Sequence, residues 1–195
     1  MLNDLTTALS LLETRRSGRP REMIGPGPTP AELDRILTIA ARIPDHGKLT
    51  PWRFVIVGGD QRGALAALLH RALLEHDQFA TPAHHEKADE FARQGAALIV
   101  LVSAPIPDHK IPLWEQQLSA GAAGMQLLNA AHAMGFVGGW ITGWQAYSPR
   151  VNAAFCAEGE RIAGFIFLGH PGTELIDRPR PPIDSVVRSW VPPKD

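Results

Sequence analysis

Residues 112–135, "PLWEQQLSAGAAGMQLLNAAHAMG", limit the possible folds of this chain more than any other stretch. The run is long enough for about six helical turns. Its Ala120, Gly121, Ala122, Ala123 and Gly124 leave room for another backbone to approach closely. A long buried central helix from Pro112 to Met134, closed by Gly135, is therefore expected. The weakly polar stretch continues to Thr142, but Glu115, Gln116, Gln117, Asn129 and His132 interrupt it where a bilayer would penalise them. The pattern predicts a core helix followed by a strand, with no membrane partner.

Other elements are arranged around that helix. Leu5, Ala8, Leu9 and Leu12 predict an amphipathic helix over residues 3–14. In "TPAELDRILTIAAR", Thr29 is placed to cap, Pro30 to open the first turn and Glu32 to complete a capping box. "RFVIVGG" reads as a buried strand, Asp60 as the cap of a helix running to about Glu75, and Thr81–Pro82 as the start of another towards Arg93. "ALIVLVSA", "FVGGWIT" and "RIAGFIFLG" supply further strands, and Ser148–Pro149 opens a short helix between the last two. After Gly169 the prolines and basic residues of "HPGTELIDRPRPPIDSVVRSWVPPKD" predict an extended C-terminal arm. Helices and strands are thus mixed, with about four strands, in a single domain over residues 1–195.

Composition narrows the function classes. A formal net charge of -1 provides no general attraction for polyanions, so nucleic acid is not an expected partner. The single Cys156 excludes an internal disulfide framework, and "MLNDLTTALSLLE" carries acids where a signal peptide would be basic, so a cytoplasmic protein is expected. "GGDQRG" lacks the spacing of a dinucleotide fingerprint. The eight histidines form no metal-binding pattern, and no metal is expected. There is no Gly-x-Ser-x-Gly elbow, and Cys156 has no neighbouring cation in sequence to activate it. No side-chain nucleophile or other catalytic residue is assigned.

Three features remain: "RRSGR" at 15–19, the loop "PDHGKLTPW" at 44–52, and the proline-flanked Arg178 and Arg180. Arginines grouped with a serine supply fork-shaped donors suited to a phosphate monoester. A loop with a histidine, flanking cations and a tryptophan suits a flat, charged ligand better than it suits a plain turn. The order of "RRS", "TPAELDRIL", "PDH…PW" and "WEQQLSAGAAGMQLLNAAHAMGFVGGW" resembles the nitroreductase family, most closely its compact NAD(P)H nitroreductases, from about Leu5 to Val187.

The resemblance implies an α+β fold with helices around a mixed central sheet, and a homodimer with one FMN in each groove between the two chains. It implies contacts from Arg15, Arg16 and Ser17 to the phosphate and ribityl end of FMN. Arg42 and His46 would approach the same cofactor from the partner chain. Trp140, Ile141 and Thr142 would lie beside the isoalloxazine ring, with Arg19 at its pyrimidine edge and Arg180 adding a phosphate contact. The segment Ala130, Ala131, His132, Ala133, Met134 and Gly135 would border the nicotinamide of NADH or NADPH. The implied activity is FMN-dependent NAD(P)H oxidoreduction, with ping-pong hydride transfer to a small-molecule acceptor of the nitroaromatic or quinone type. Other reduced-flavin chemistry and a non-enzymatic flavin-binding role are the alternatives. The commoner family loop has Asn and Gln where this chain has Lys48 and Thr50.

Overall fold

The computed structural model describes residues 1–193. In chain order the elements are α1 (Ala8–Thr14), β1 (Met23–Ile24), α2 (Pro30–Ala40), β2 (Trp52–Val57), α3 (Arg62–His76), α4 (Pro82–Arg93) and β3 (Ala97–Ser103). They continue with α5 (Leu113–Ala133), β4 (Val137–Ile141), α6 (Gly143–Tyr147), α7 (Pro149–Phe155), β5 (Arg161–Pro171) and α8 (Ile183–Val186). The architecture is α+β, with helices on both faces of a five-stranded sheet.

Every strand pair is antiparallel, so the sheet is not mixed, and the two-residue β1 is a fifth strand beyond the four expected. β5 is the organising strand: its residues 165–168 pair with β3 and with β4, and its end pairs with β1. Side chains alternate across the sheet. Leu98, Val100, Phe165 and Phe167 face the layer made by α3 and α4, while Ile99, Leu101, Ile166 and Leu168 face α2 and α5. Because both faces are covered, these strands read in sequence as unbroken apolar runs. Phe91 of α4 meets Phe165 and Phe167 edge-on, with centroids 5.1 and 5.5 Å away.

Local chemistry sets the helix boundaries. Thr29 and Glu32 close the expected capping box on α2, and Ser148 caps α7. α1 starts later than residue 3, because Thr7 and Ser10 form their own capping box and Asn3 is occupied elsewhere, accepting from the Arg16 N–H and donating to its carbonyl. Asp60 does not cap α3. It lies in a separate turn at Gly59–Gln61, where Gln61 Oε1 accepts from the Gly58 N–H. A buried Arg62 holds α3 to α4 by donating to the carbonyls of Ala92 and Gln94 at 2.8 and 3.2 Å.

The long helix is buried on one face only. Ala120, Ala123, Leu127, Leu128 and Ala131 face the sheet, whereas Trp114, Leu118 and Met125 are exposed. Its close approach depends on glycine. The Trp140 indole lies against Gly124 of α5 and Gly164 of β5, with its Nε1–H donating to the Ala163 carbonyl at 3.1 Å. A methyl group at either glycine would overlap the ring. The arm after Pro171 is extended except for α8, and Ile176, Ile183, Val186, Val187, Trp190 and Val191 along it are exposed.

Gly164→Ala is expected to cost about 2 kcal/mol or more through overpacking, visible as a Tm several degrees lower. Gly63→Ala, where the added methyl meets nothing within 4 Å, should be neutral or stabilising. Equal thermal melts for the two variants would contradict the role of the Trp140 wedge.

Candidate functional site

The turn after α1 gathers positive charge. The Arg15 guanidinium donates to Ser17 Oγ at 3.3 Å, and Arg16 uses Nε to hold the Ile176 carbonyl of the arm at 2.7 Å. Arg180 reaches the Arg15 carbonyl at 3.5 Å and pairs with Asp177 at 3.4 Å. Burial, followed by the charges of Arg180 and Arg16, lowers the Arg15 pKa. Neither Arg15 nor Arg16 has a carboxylate partner among the described residues. Two uncompensated guanidiniums and a serine hydroxyl fit a phosphate dianion, which would replace this repulsion with charge-assisted hydrogen bonds.

A cleft of about 550 Å³ opens beside this turn, with Arg16, Ser17 and Arg19 on one side and residues 173–178 of the arm on the other. Arg19 is held within it. Its guanidinium donates to Glu22 at 2.9 Å, and the other Glu22 oxygen accepts from Thr173 at 3.2 Å. Arg19 accordingly keeps the Glu22 carboxyl below its usual range, with help from Thr173. Glu22 was not among the sequence candidates; an acid three residues after a proposed ligand-binding arginine was an available signal.

The loop at 44–52 is a separate locus. Asp45, another residue missed in sequence, organises it by accepting from the N–H groups of Leu49 and Thr50 at 3.1 and 2.9 Å. Lys48 and Thr50 have φ values of 56° and 50°, a region that Asn tolerates better than either. The Asp45 contacts therefore hold a strained turn. His46 pairs with Glu115 of α5 at 2.7 Å, and Arg42 is exposed with no bonded side-chain partner among the described residues. No hydrogen bond or ion pair among the described residues joins Arg42 or His46 to the arginine turn.

At the end of β4 the indole of Trp140 packs inside the subunit, so its main chain, rather than its ring, is what it offers at that edge. Ile141 makes the last ladder pair, with Phe165, and the N–H groups of Thr142 and Gly143 lie beyond it. In the 130–135 segment, Ala130, Ala131 and His132 are buried and only Ala133, Met134 and Gly135 reach the surface. Inside the subunit, His132 Nδ1–H donates to the Leu128 carbonyl at 2.7 Å, and Nε2 accepts from the Gly138 N–H at 3.4 Å. Burial, reinforced by the charge of Arg15, pushes its pKa down to about 4. A neutral imidazole thus supports the arginine turn without adding a further positive charge.

Comparison with known proteins gives a consistent result. The model of the Nitroreductase family matches residues 12–170. A relative from Escherichia coli K12, named "Putative NAD(P)H nitroreductase YdjA", is 38% identical over 169 residues, covering 84% of this chain and 88% of the relative. The nitroreductase-like family protein of Bacillus cereus superimposes with a TM-score of 0.81 at 21% identity, covering 95% of this chain and 96% of that one. The NADPH:FMN oxidoreductase of Vibrio harveyi, solved with NAD+, gives 0.70 at 18% identity, covering 93% and 76%. At these identities the two structural matches establish the fold.

The depressed His132 pKa has a consequence for stability. The unfolded imidazole titrates near 6.5 and the folded one near 4, so its contribution is complete above pH 6.5 and is lost as pH falls towards 4. Urea unfolding at about pH 7.5 and about pH 4.5 should show a stability loss of about 2–3 kcal/mol from this group. His132→Gln should remove that part of the acid dependence. An unchanged pH profile would contradict a buried neutral imidazole.

Proposed function

The chain belongs to the nitroreductase family, and on that premise we propose that it is an FMN-dependent NAD(P)H oxidoreductase reducing nitroaromatic or quinone-like acceptors by a ping-pong route. The observation that carries the proposal is the Arg15–Arg16–Ser17 turn, positively charged, lacking its own carboxylate and lying beside a cleft of about 550 Å³. When bound, FMN supplies the hydride chemistry, accepting from NADH or NADPH and delivering to the acceptor.

The residues of the chain have separate tasks in this reading. Arg15, Arg16 and Ser17 bind the phosphate, and Arg180 adds charge from the arm. Arg19, aimed by Glu22, supplies the cation at the pyrimidine edge. The N–H groups of Thr142 and Gly143, outside the β ladder, orient the ring system at the end of β4. Exposed Ala133 and Gly135, with half-buried Met134 between them, are the surface part of the segment assigned to the nicotinamide.

Arg42 and His46 complete the site from a second copy. This assignment is supported by their separation from the arginine turn in the hydrogen-bond and ion-pair network, and by two apolar surfaces that suit a homodimer. These are the stripe of Trp114, Leu118 and Met125 on α5, exposed by 67%, 53% and 38%, and the arm carrying Trp190 at 81%. No helix among the described residues is long and apolar enough to cross a membrane.

The direct test is anaerobic addition of NADH or NADPH to protein supplied with FMN. Bleaching of the flavin absorbance, and parallel double-reciprocal plots with a nitroaromatic or quinone acceptor, are expected. Stable colour would indicate a binder without reductase activity, and intersecting plots a ternary complex. Arg15→Ala should weaken FMN about 10- to 100-fold, as expected for loss of a charge-assisted phosphate contact, while leaving the circular dichroism intact. Unchanged FMN affinity would place the phosphate elsewhere.

A further inference from the structure

We propose that the cleft between α3, α4 and Trp144 is a binding site for a planar aromatic acid. The cleft measures about 430 Å³ and is lined by Leu73, His76, Asp77, His84, Lys87 and Trp144. Its volume is in the range of small-molecule sites, which join apolar walls to a few polar groups.

The walls favour a flat ring. Leu73 is buried, and the half-buried Trp144 indole stacks on the His76 imidazole with centroids 5.4 Å apart and planes at 15°. A parallel stack at a surface has an edge and a face to which another π system can add. Two residues beyond Asp77, on the loop joining α3 to α4, Phe79 is 89% exposed, an apolar ring that an aromatic ligand would cover.

One unpaired cation in the lining suits an acid group. Asp77 is the acid lining the cleft: one of its oxygens accepts from the Phe79 N–H at 2.9 Å, and the other lies 3.5 Å from His84 Nδ1, which itself accepts from the Thr81 N–H at 3.3 Å. Lys87 has no hydrogen-bond or ion-pair partner among the described residues, although Glu86 and Glu90 lie on the same helix. Its ammonium is the lysine or arginine charge among the lining residues, and it is free to meet an acid group. An acid group bound there gains a charge-assisted hydrogen bond while its ring lies along Trp144. Because the arginine turn contributes no lining residue, this site is distinct from the one assigned to FMN and does not rest on that assignment.

Calorimetric titration of the full chain with FMN present, using 1-naphthoate and its uncharged analogue 1-naphthalenemethanol, tests the proposal. Saturable 1:1 binding of naphthoate is expected, and Lys87→Gln should weaken it about tenfold with little change for the alcohol. Lys110→Gln is the charge-matched control and should leave both unchanged. Trp144→Leu should weaken both probes, and because Trp144 also packs against the core, His76→Ala provides a second route to the same loss. Absence of saturable naphthoate binding would overturn the proposal. So would equal effects of the two lysine variants, or loss of binding in Arg15→Ala with none in Lys87→Gln, which would assign the anion to the arginine turn.

Discussion

The Trp140 indole, set between the backbones of Gly124 and Gly164, determines how closely the long helix lies on the sheet. Its hydrogen bond to the Ala163 carbonyl fixes the ring's orientation, so the spacing of α5, β4 and β5 is set by one rigid plate. Much of the candidate site depends on that spacing. The C-terminal part of α5 brings His132 to the Gly138 N–H, and the Gly138 carbonyl accepts from Gly18, next to the arginine turn. The same strand ends at Ile141, leaving Thr142 and Gly143 outside the ladder. Packing and the position of polar groups are therefore one problem in this chain.

The arginine turn is held together against its own repulsion. Asn3 grips both the N–H and the carbonyl of Arg16, Ser17 accepts from Arg15, and His132 beneath remains uncharged. Each contact is modest, but together they fix a geometry that separated cations would otherwise avoid. For the phosphate proposed to bind there, such an arrangement would be preorganised: the cost of bringing the cations together is met during folding, and an incoming dianion would relieve it.

The sequence was most legible where a signal was local. Thr29 and Glu32 marked the start of α2 because a capping box spans four positions, and the buried strands were visible because both sheet faces are covered. The two-residue β1 was not, because it exists only through pairing with the end of β5. Arg62 gave no warning of burial, since its partners are main-chain carbonyls about thirty residues away. His132 did carry a readable signal: it lies four residues after Leu128, on the same inward face, and a histidine there belongs to the core. The candidate site was visible in sequence as a set of residue types, whereas its grouping was not. The pairings of His46 with Glu115 and of Arg16 with Ile176 join positions 69 and 160 residues apart.

The last of these contacts affects which parts of the chain are free to change. Arg16 grasps the arm at the main-chain oxygen of residue 176 and asks nothing of that residue's side chain, which is 75% exposed. A clasp made on the backbone is indifferent to spelling. The arm can alter its side chains, and with them the surface it offers to a neighbour, while remaining fastened to the same point.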